Sequence, residues 1–132
     1  MLVENRFEDL IFWQRARELS RLIMSATGEL PLKRHYELSV QLERAAMAIM
    51  GDIAEGWACD QKQDYVNFLH SAISAACSLQ SYLYLALDLR CVNQKQFGDL
   101  YNRASEIVHM VDAYAAQLQE GKRPSPRRHR PS

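Results

Sequence analysis

The 132-residue sequence predicts an all-helical fold, an up-down-up-down antiparallel four-helix bundle. Apolar residues recur at helical spacing in four stretches, and no stretch shows the strict alternation of a half-buried strand. The linkers between these stretches are only a few residues long, which makes sequential helices antiparallel neighbours. The chain also has the length of a single domain, and its 48% apolar and 24% charged residues are typical of a soluble globular protein.

The first two helices are predicted on either side of a Leu30-Pro31 turn. The first runs from about Glu8 to Thr27 and ends at Gly28, and the second spans about Tyr36 to Trp57. Each carries one apolar stripe, which predicts the face that meets the core. The stripe residues are Leu10, Trp13, Ala16, Leu19, Ile23 and Ala26, followed by Leu38, Leu42, Ala45, Ala46, Ile49 and Ile53.

The last two helices are predicted to begin at capping pairs. Asp60 with Gln63 opens the third helix, which ends near Arg90, and Asn93 with Gln96 opens the fourth. Gly121 suits the C-cap of the fourth helix. The predicted core residues are Tyr65, Phe68, Leu69, Ala72, Ala76, Leu79, Leu83 and Ala86, followed by Phe97, Leu100, Ala104, Ile107, Val108, Val111, Tyr114 and Leu118.

Charge divides the chain into two parts. Residues 1–121, the predicted bundle, hold eleven basic and sixteen acidic residues, a net charge of −5, and seven of the eleven lie between Arg6 and Arg44. Residues 122–132 form a basic tail of net charge +5, rich in Pro, Arg and Ser and predicted to be flexible. Such a tail suits contacts with RNA or DNA phosphates, and a merely solubilising extension is the alternative. Its candidate nucleic-acid-binding residues are Lys122, Arg123, Arg127, Arg128 and Arg130.

Cysteine usage and hydropathy indicate a cytoplasmic location. Cys59, Cys77 and Cys91 are odd in number and include no CxxC pair, so neither a disulfide framework nor a zinc site is predicted. The stretch from Tyr65 to Leu87 has no formally charged residue and is long enough to cross a bilayer. Its seven Asn, His, Ser and Gln residues argue against a membrane span.

A search for catalytic groups yields two weak matches on the fourth helix. Glu106 and His109 form one Glu-x-x-His element, where a di-iron bundle needs two and two further glutamates. Arg103 and His109 resemble the R-x(4–6)-H element of HEPN-type ribonucleases, in which His is the general acid or base and Arg stabilises phosphate charge. The same spacing recurs between Arg123 and His129 in the tail. We therefore expect no enzymatic activity, no cofactor and no metal, with the ribonuclease as an alternative.

The third helix predicts self-assembly. A helix of a monomeric bundle normally carries Lys, Glu, Arg or Asp on its solvent face, and this helix has none between Tyr65 and Leu87. Small or amphipathic residues on that face let another backbone approach without stranding a charge. The predicted interface residues are Ser71, Ser74, Ala75, Ser78, Ser81 and Tyr82.

Five motifs occur in one order along the chain. They are FEDLIFWQRARELS from Phe7 to Ser20, LP at Leu30-Pro31, QLERAAMAI from Gln41 to Ile49, DIAEG from Asp52 to Gly56, and YVNFLHSA from Tyr65 to Ala72. In this order the sequence resembles the bacterial four-helix-bundle proteins encoded within intervening sequences of 23S ribosomal RNA genes. The likeness covers about the first ninety residues. It departs from the family pattern at Met50-Gly51-Asp52, which replaces P-x-N, at Ala48, which replaces Ser, and at Ser78, which replaces Glu.

The resemblance implies a bundle protein without established enzymatic activity. Members are similar in fold to the accessory variability proteins of diversity-generating retroelements, which form pentameric barrels and bind a reverse transcriptase and nucleic acid. A homopentamer is therefore what the resemblance adds to the predicted self-assembly. The function expected is a non-catalytic accessory or scaffold that binds RNA, DNA or a ribonucleoprotein partner. A retroelement accessory protein that binds a reverse transcriptase is the alternative.

The motif region also holds a candidate polar seam on the second helix. Arg44 and Glu55 are eleven residues apart, which returns to nearly the same helix face after three turns. With Asp52 they are predicted to form ion pairs on the rim of the bundle, and ligand binding is the alternative.

Overall fold

The computed structural model describes residues 4–121, and this part of the chain is an antiparallel four-helix bundle without strands. The long helices are α1 (Ile11–Thr27), α2 (Tyr36–Trp57), α3 (Lys62–Asp88) and α4 (Gln94–Gln119). A 3-10 turn, Phe7–Asp9, precedes α1, and one helical turn, Leu30–Lys33, separates α1 from α2. Each long helix packs on its neighbours in sequence, and α1 closes the bundle against α4. The predicted fold class is confirmed.

The core follows the predicted apolar stripes closely. Trp13, Phe68, Phe97 and Val108 are half-buried, and every other predicted stripe residue is buried. Phe12, Val66 and Ala115 are also buried, although the stripes did not include them. They lie beside the stripes because the buried face of each helix is wider than a single row of residues.

Gly56 lies where α2 approaches α3 closely. A Cβ atom at this position would lie 2.9 Å from Cδ1 of Tyr65 and 3.0 Å from Cβ of Phe68. Glycine therefore lets the end of α2 pack directly on the first turns of α3, where Trp57 and Tyr65 are fully buried.

The helix ends confirm two of the predicted caps and correct one. The Oδ1 atom of Asn93 accepts a hydrogen bond from the backbone N–H of Gln96 at 2.8 Å. Gly121 has a φ of +81° and donates its N–H to the carbonyl oxygen of Leu118, as a C-terminal glycine does.

The predicted N-cap of the third helix, Asp60, is one residue too early. Helix α3 begins at Lys62, and its N-cap is Gln61, whose side chain makes no capping hydrogen bond. The start is one residue later than the box requires, so Gln63 is the second residue of the helix. Its side-chain amide instead donates to Oδ1 of Asn67, one turn along, at 2.9 Å.

Candidate interaction surface

The outer face of α3 is exposed and uncharged, as its sequence predicts. Helical spacing places the buried stripe of α3 against α2 and α4, and the opposite side faces solvent. Ser71, Ser74, Ser78 and Ser81 are exposed, and Ala75 and Tyr82 are half-buried. We call this surface the α3 outer face; its other exposed residues between Tyr65 and Leu87 are Asn67, His70, Cys77, Tyr84 and Leu85.

A groove runs between α2 and α3 beside this face. Its volume is about 840 Å³, and α3 contributes Tyr82 and Leu85 to its wall. Tyr36 and Leu85 are 76% and 47% exposed, which leaves large apolar surface open to water. The residues of α2 and the preceding turn that line the groove are His35, Tyr36, Glu37, Leu38, Val40, Gln41 and Arg44. We call it the α2–α3 groove.

Sequence reasoning missed Tyr36 and Leu85 as surface features. Both are apolar residues that lie outside the buried stripes of their helices. This placement is the sequence feature that identifies them as exposed apolar residues. When apolar residues outside the core stripe occur together, they indicate a surface that another molecule covers. Leu85 lies one turn beyond Ser81, so it extends the α3 outer face towards the groove.

On its other side the α3 outer face continues into an aromatic cluster shared with α4. The ring centroid of Tyr84 lies 4.9 Å from that of Phe97 and 5.8 Å from that of Tyr101. The negative charge of an ionised Tyr84, then partial desolvation and a hydrogen bond that the Tyr101 hydroxyl donates to Tyr84, raise the pKa of Tyr101. The Tyr101 phenol therefore stays neutral at physiological pH and adds no charge to this flank.

The polar-seam residues lie on α2, but the predicted ion pairs do not form. Arg44 and Glu55 are exposed and Asp52 is half-buried. The ion pairs of residues 4–121 join other partners, such as Arg15 with Glu106, and include none of the three. Burial and then the negative charge of Glu55 raise the pKa of the Asp52 carboxyl. Asp52 and Glu55 thus lie within electrostatic reach of each other, and Arg44 is two turns away.

The candidate ribonuclease residues point away from each other. Nε of Arg103 lies 3.2 Å from both carboxylate oxygens of Asp99. His109 is exposed and, six residues further along α4, faces a direction about 120° away. Glu106, its partner in the Glu-x-x-His element, instead accepts a hydrogen bond from Arg15 at 2.9 Å. Across the described residues no group of three His, Cys, Asp or Glu side chains is arranged to hold a metal ion.

Arginines on α1 and just before it gather around a tryptophan, yet they do not make a basic strip. Arg6, Arg17 and Arg21 line a cleft of about 570 Å³ with Trp13, and Arg17 lies over the indole ring at 6.0 Å. Arg6 is paired with Asp9 at 3.4 Å, and Arg21 is paired with Glu18 at 2.7 Å. These carboxylates cancel most of the local positive charge.

The predicted nucleic-acid-binding residues of the tail lie outside the described residues. They are Lys122, Arg123, Arg127, Arg128 and Arg130. None of the helices described is both long enough and apolar enough to span a bilayer.

Four long helices packed in an antiparallel bundle place the protein in the class of four-helix-bundle proteins. Within that class, residues 8–113 match the model of the family described as 23S rRNA-intervening sequence protein. The match covers most of the chain, and the protein belongs to this family.

A solved structure supports the fold. The chain is similar to a protein with unknown function from the S23 ribosomal protein family of Bacteroides thetaiotaomicron VPI-5482. The TM-score is 0.75 at 18% sequence identity, and the similarity covers 80% of this chain and 96% of the other. At this identity the likeness shows the fold alone. No curated protein matches the chain.

Proposed function

We propose that the protein is a non-catalytic, homo-oligomeric scaffold or accessory protein that binds RNA or DNA, alone or within a ribonucleoprotein. The observation that carries this proposal is the exposed, uncharged α3 outer face. An outer helix face of more than six turns without Lys, Arg, Asp or Glu is an association liability in water unless a partner covers it. A second copy in a closed ring is the simplest cover, and the family resemblance favours five copies.

The nucleic-acid part of the proposal assigns phosphate contacts to the basic tail. The bundle itself has a net charge of −5, and Arg6 and Arg21 are paired with carboxylates. The tail concentrates five cations within eleven residues, and each can displace a condensed counterion from a phosphate. In an oligomer the tails add up, so several weak contacts act together on one strand.

The proposal excludes catalysis by Arg103 and His109. General acid–base chemistry on a ribose hydroxyl needs both side chains at one phosphodiester. The two side chains point in different directions, and Arg103 already holds Asp99. This arrangement supports a binding role.

The salt dependence of RNA binding tests the role of the tail. Affinity for a single-stranded RNA oligonucleotide is measured at several salt concentrations from about 50 to about 200 mM, with the full chain and with a deletion of residues 122–132. We expect the deletion to weaken binding and to flatten the log–log salt slope by up to about 3.5, because each phosphate contact contributes about 0.7.

A variant with all five tail cations changed to Gln is the matched control, since it keeps the length of the tail. It should behave like the deletion. Equal slopes for the three proteins would show that the tail is not the binding element.

A further inference from the structure

Helix α2 carries complementary charges that have no partner within the described chain. The guanidinium of Arg44 is exposed and forms no ion pair with any residue from 4 to 121. The carboxylate of Asp52 is half-buried, and the charge that acts on it is that of another carboxylate, Glu55. A half-buried carboxylate next to a like charge is unfavourable, and a cation from outside the bundle would relieve it.

These charges cannot neutralise one another within one copy. Arg44 and Asp52 are eight residues apart on one continuous helix, a rise of about 12 Å, and Glu55 lies about 4.5 Å further. An ion pair needs a nitrogen and an oxygen within about 4 Å. The rigid helix therefore holds the opposite charges apart while presenting them on one side of α2.

These charged residues of α2 lie next to the α3 outer face, the surface through which copies are proposed to associate. Arg44 lines the α2–α3 groove together with Tyr82 and Leu85 of α3. Gly56, one turn beyond Asp52, packs on the first turns of α3. Arg44 and the Asp52–Glu55 pair thus lie along the same α2–α3 seam, with the serines of the α3 outer face beside it.

We propose that Arg44 of one copy pairs with the carboxylates of Asp52 and Glu55 of a neighbouring copy, with the α3 outer face buried alongside. The inference rests on the proposed self-assembly and names the charges that set its register. A second copy of the chain carries the same arginine and the same two carboxylates, at the same spacing along α2. A nucleic-acid strand would satisfy Arg44 but would be repelled by the two carboxylates, which makes RNA the weaker candidate for this seam.

Charge exchange tests the proposal on the full-length protein. Arg44→Glu and Asp52→Arg are each expected to weaken association at least about tenfold, because like charges then face each other across the interface. The double variant R44E/D52R should recover assembly, because opposite charges then face each other across the interface again. Mass is measured by light scattering, and circular dichroism with thermal melting checks that each variant is folded.

Each outcome decides the proposal. Loss in both single variants with recovery in the double variant supports it. A single variant that keeps the wild-type mass, or a double variant that stays dissociated, overturns it while the proposed self-assembly stands. Loss of RNA affinity in R44E without a change in mass assigns Arg44 to nucleic acid and overturns it too. A monomeric wild-type protein removes the proposed function itself. If D52R does not fold, Glu55→Lys replaces it at an exposed position.

Discussion

Gly56 and Gly51 lie in the same helix but meet different surroundings. A Cβ at Gly56 would press on Tyr65 and Phe68, whereas a Cβ at Gly51 would have no neighbouring heavy atom within 4 Å. We expect Gly56→Ala to lower the free energy of unfolding by about 1–3 kcal/mol, because a packed core has little room for an added methyl. Gly51→Ala, the matched control, should raise it by about 0.5–1 kcal/mol, because alanine favours the helix.

Denaturant unfolding of the two glycine variants measures both effects. Gly51 lies on the outside of α2, and association changes the apparent free energy of unfolding. The comparison is therefore made at a protein concentration where both variants have the same mass. Equal free energies of unfolding would contradict the close packing of α2 on α3 at Gly56.

Arg103 and His109 give a second prediction at the scale of single residues. Pure protein is expected to show no cleavage of RNA that depends on either residue, because their side chains do not converge. Incubation of labelled RNA with the wild type, Arg103→Ala and His109→Ala checks this. Cleavage by the wild type that disappears in His109→Ala would restore the ribonuclease alternative.

At the scale of the helix, we expect a single charge on the α3 outer face to disrupt self-assembly. Ser78→Arg places a long cation on the α3 outer face and leaves the buried stripe unchanged. We expect it to shift the assembly to smaller species with helicity retained, since burying an unpaired cation in an interface costs several kcal/mol.

The same substitution at an exposed serine of α1, Ser25→Arg, is its control. It should leave the mass unchanged. An assembly that tolerates Ser78→Arg as well as Ser25→Arg would show that copies do not meet through the α3 outer face.

The sequence predicts the helices and the core better than the polar detail. Spacing alone located α2 from Tyr36 to Trp57, because burial selects one face of a helix and leaves a periodic trace. The N-cap of α3 is Gln61 and not the predicted Asp60, because residue spacing locates a helix start only to within one or two residues.

The α3 outer face was predictable for the same reason as the core, because it too is periodic. The unpaired state of Arg44 and Asp52 was not. Ion pairs depend on distances of a few ångströms between side chains, which residue spacing does not determine. The α2–α3 groove needs the packing of two helices, so its lining residues became evident only in the fold.

At the scale of the whole molecule, specific assembly has to be distinguished from non-specific association, which depends on net charge. The bundle carries −5 and the tail +5, so the complete chain is neutral and its pI is about 6.9. Proteins near zero net charge associate without specificity, and such particles grow as concentration rises. A closed ring has a fixed number of copies instead, and its mass reaches a plateau.

Light scattering of the wild-type protein across a concentration series around the micromolar range tests the central claim most directly. We expect one discrete species whose mass is a fixed multiple of the 15.2 kDa chain, about 76 kDa for five copies. A mass of 15.2 kDa throughout the series would contradict self-assembly, and the α3 outer face would then need a different cover.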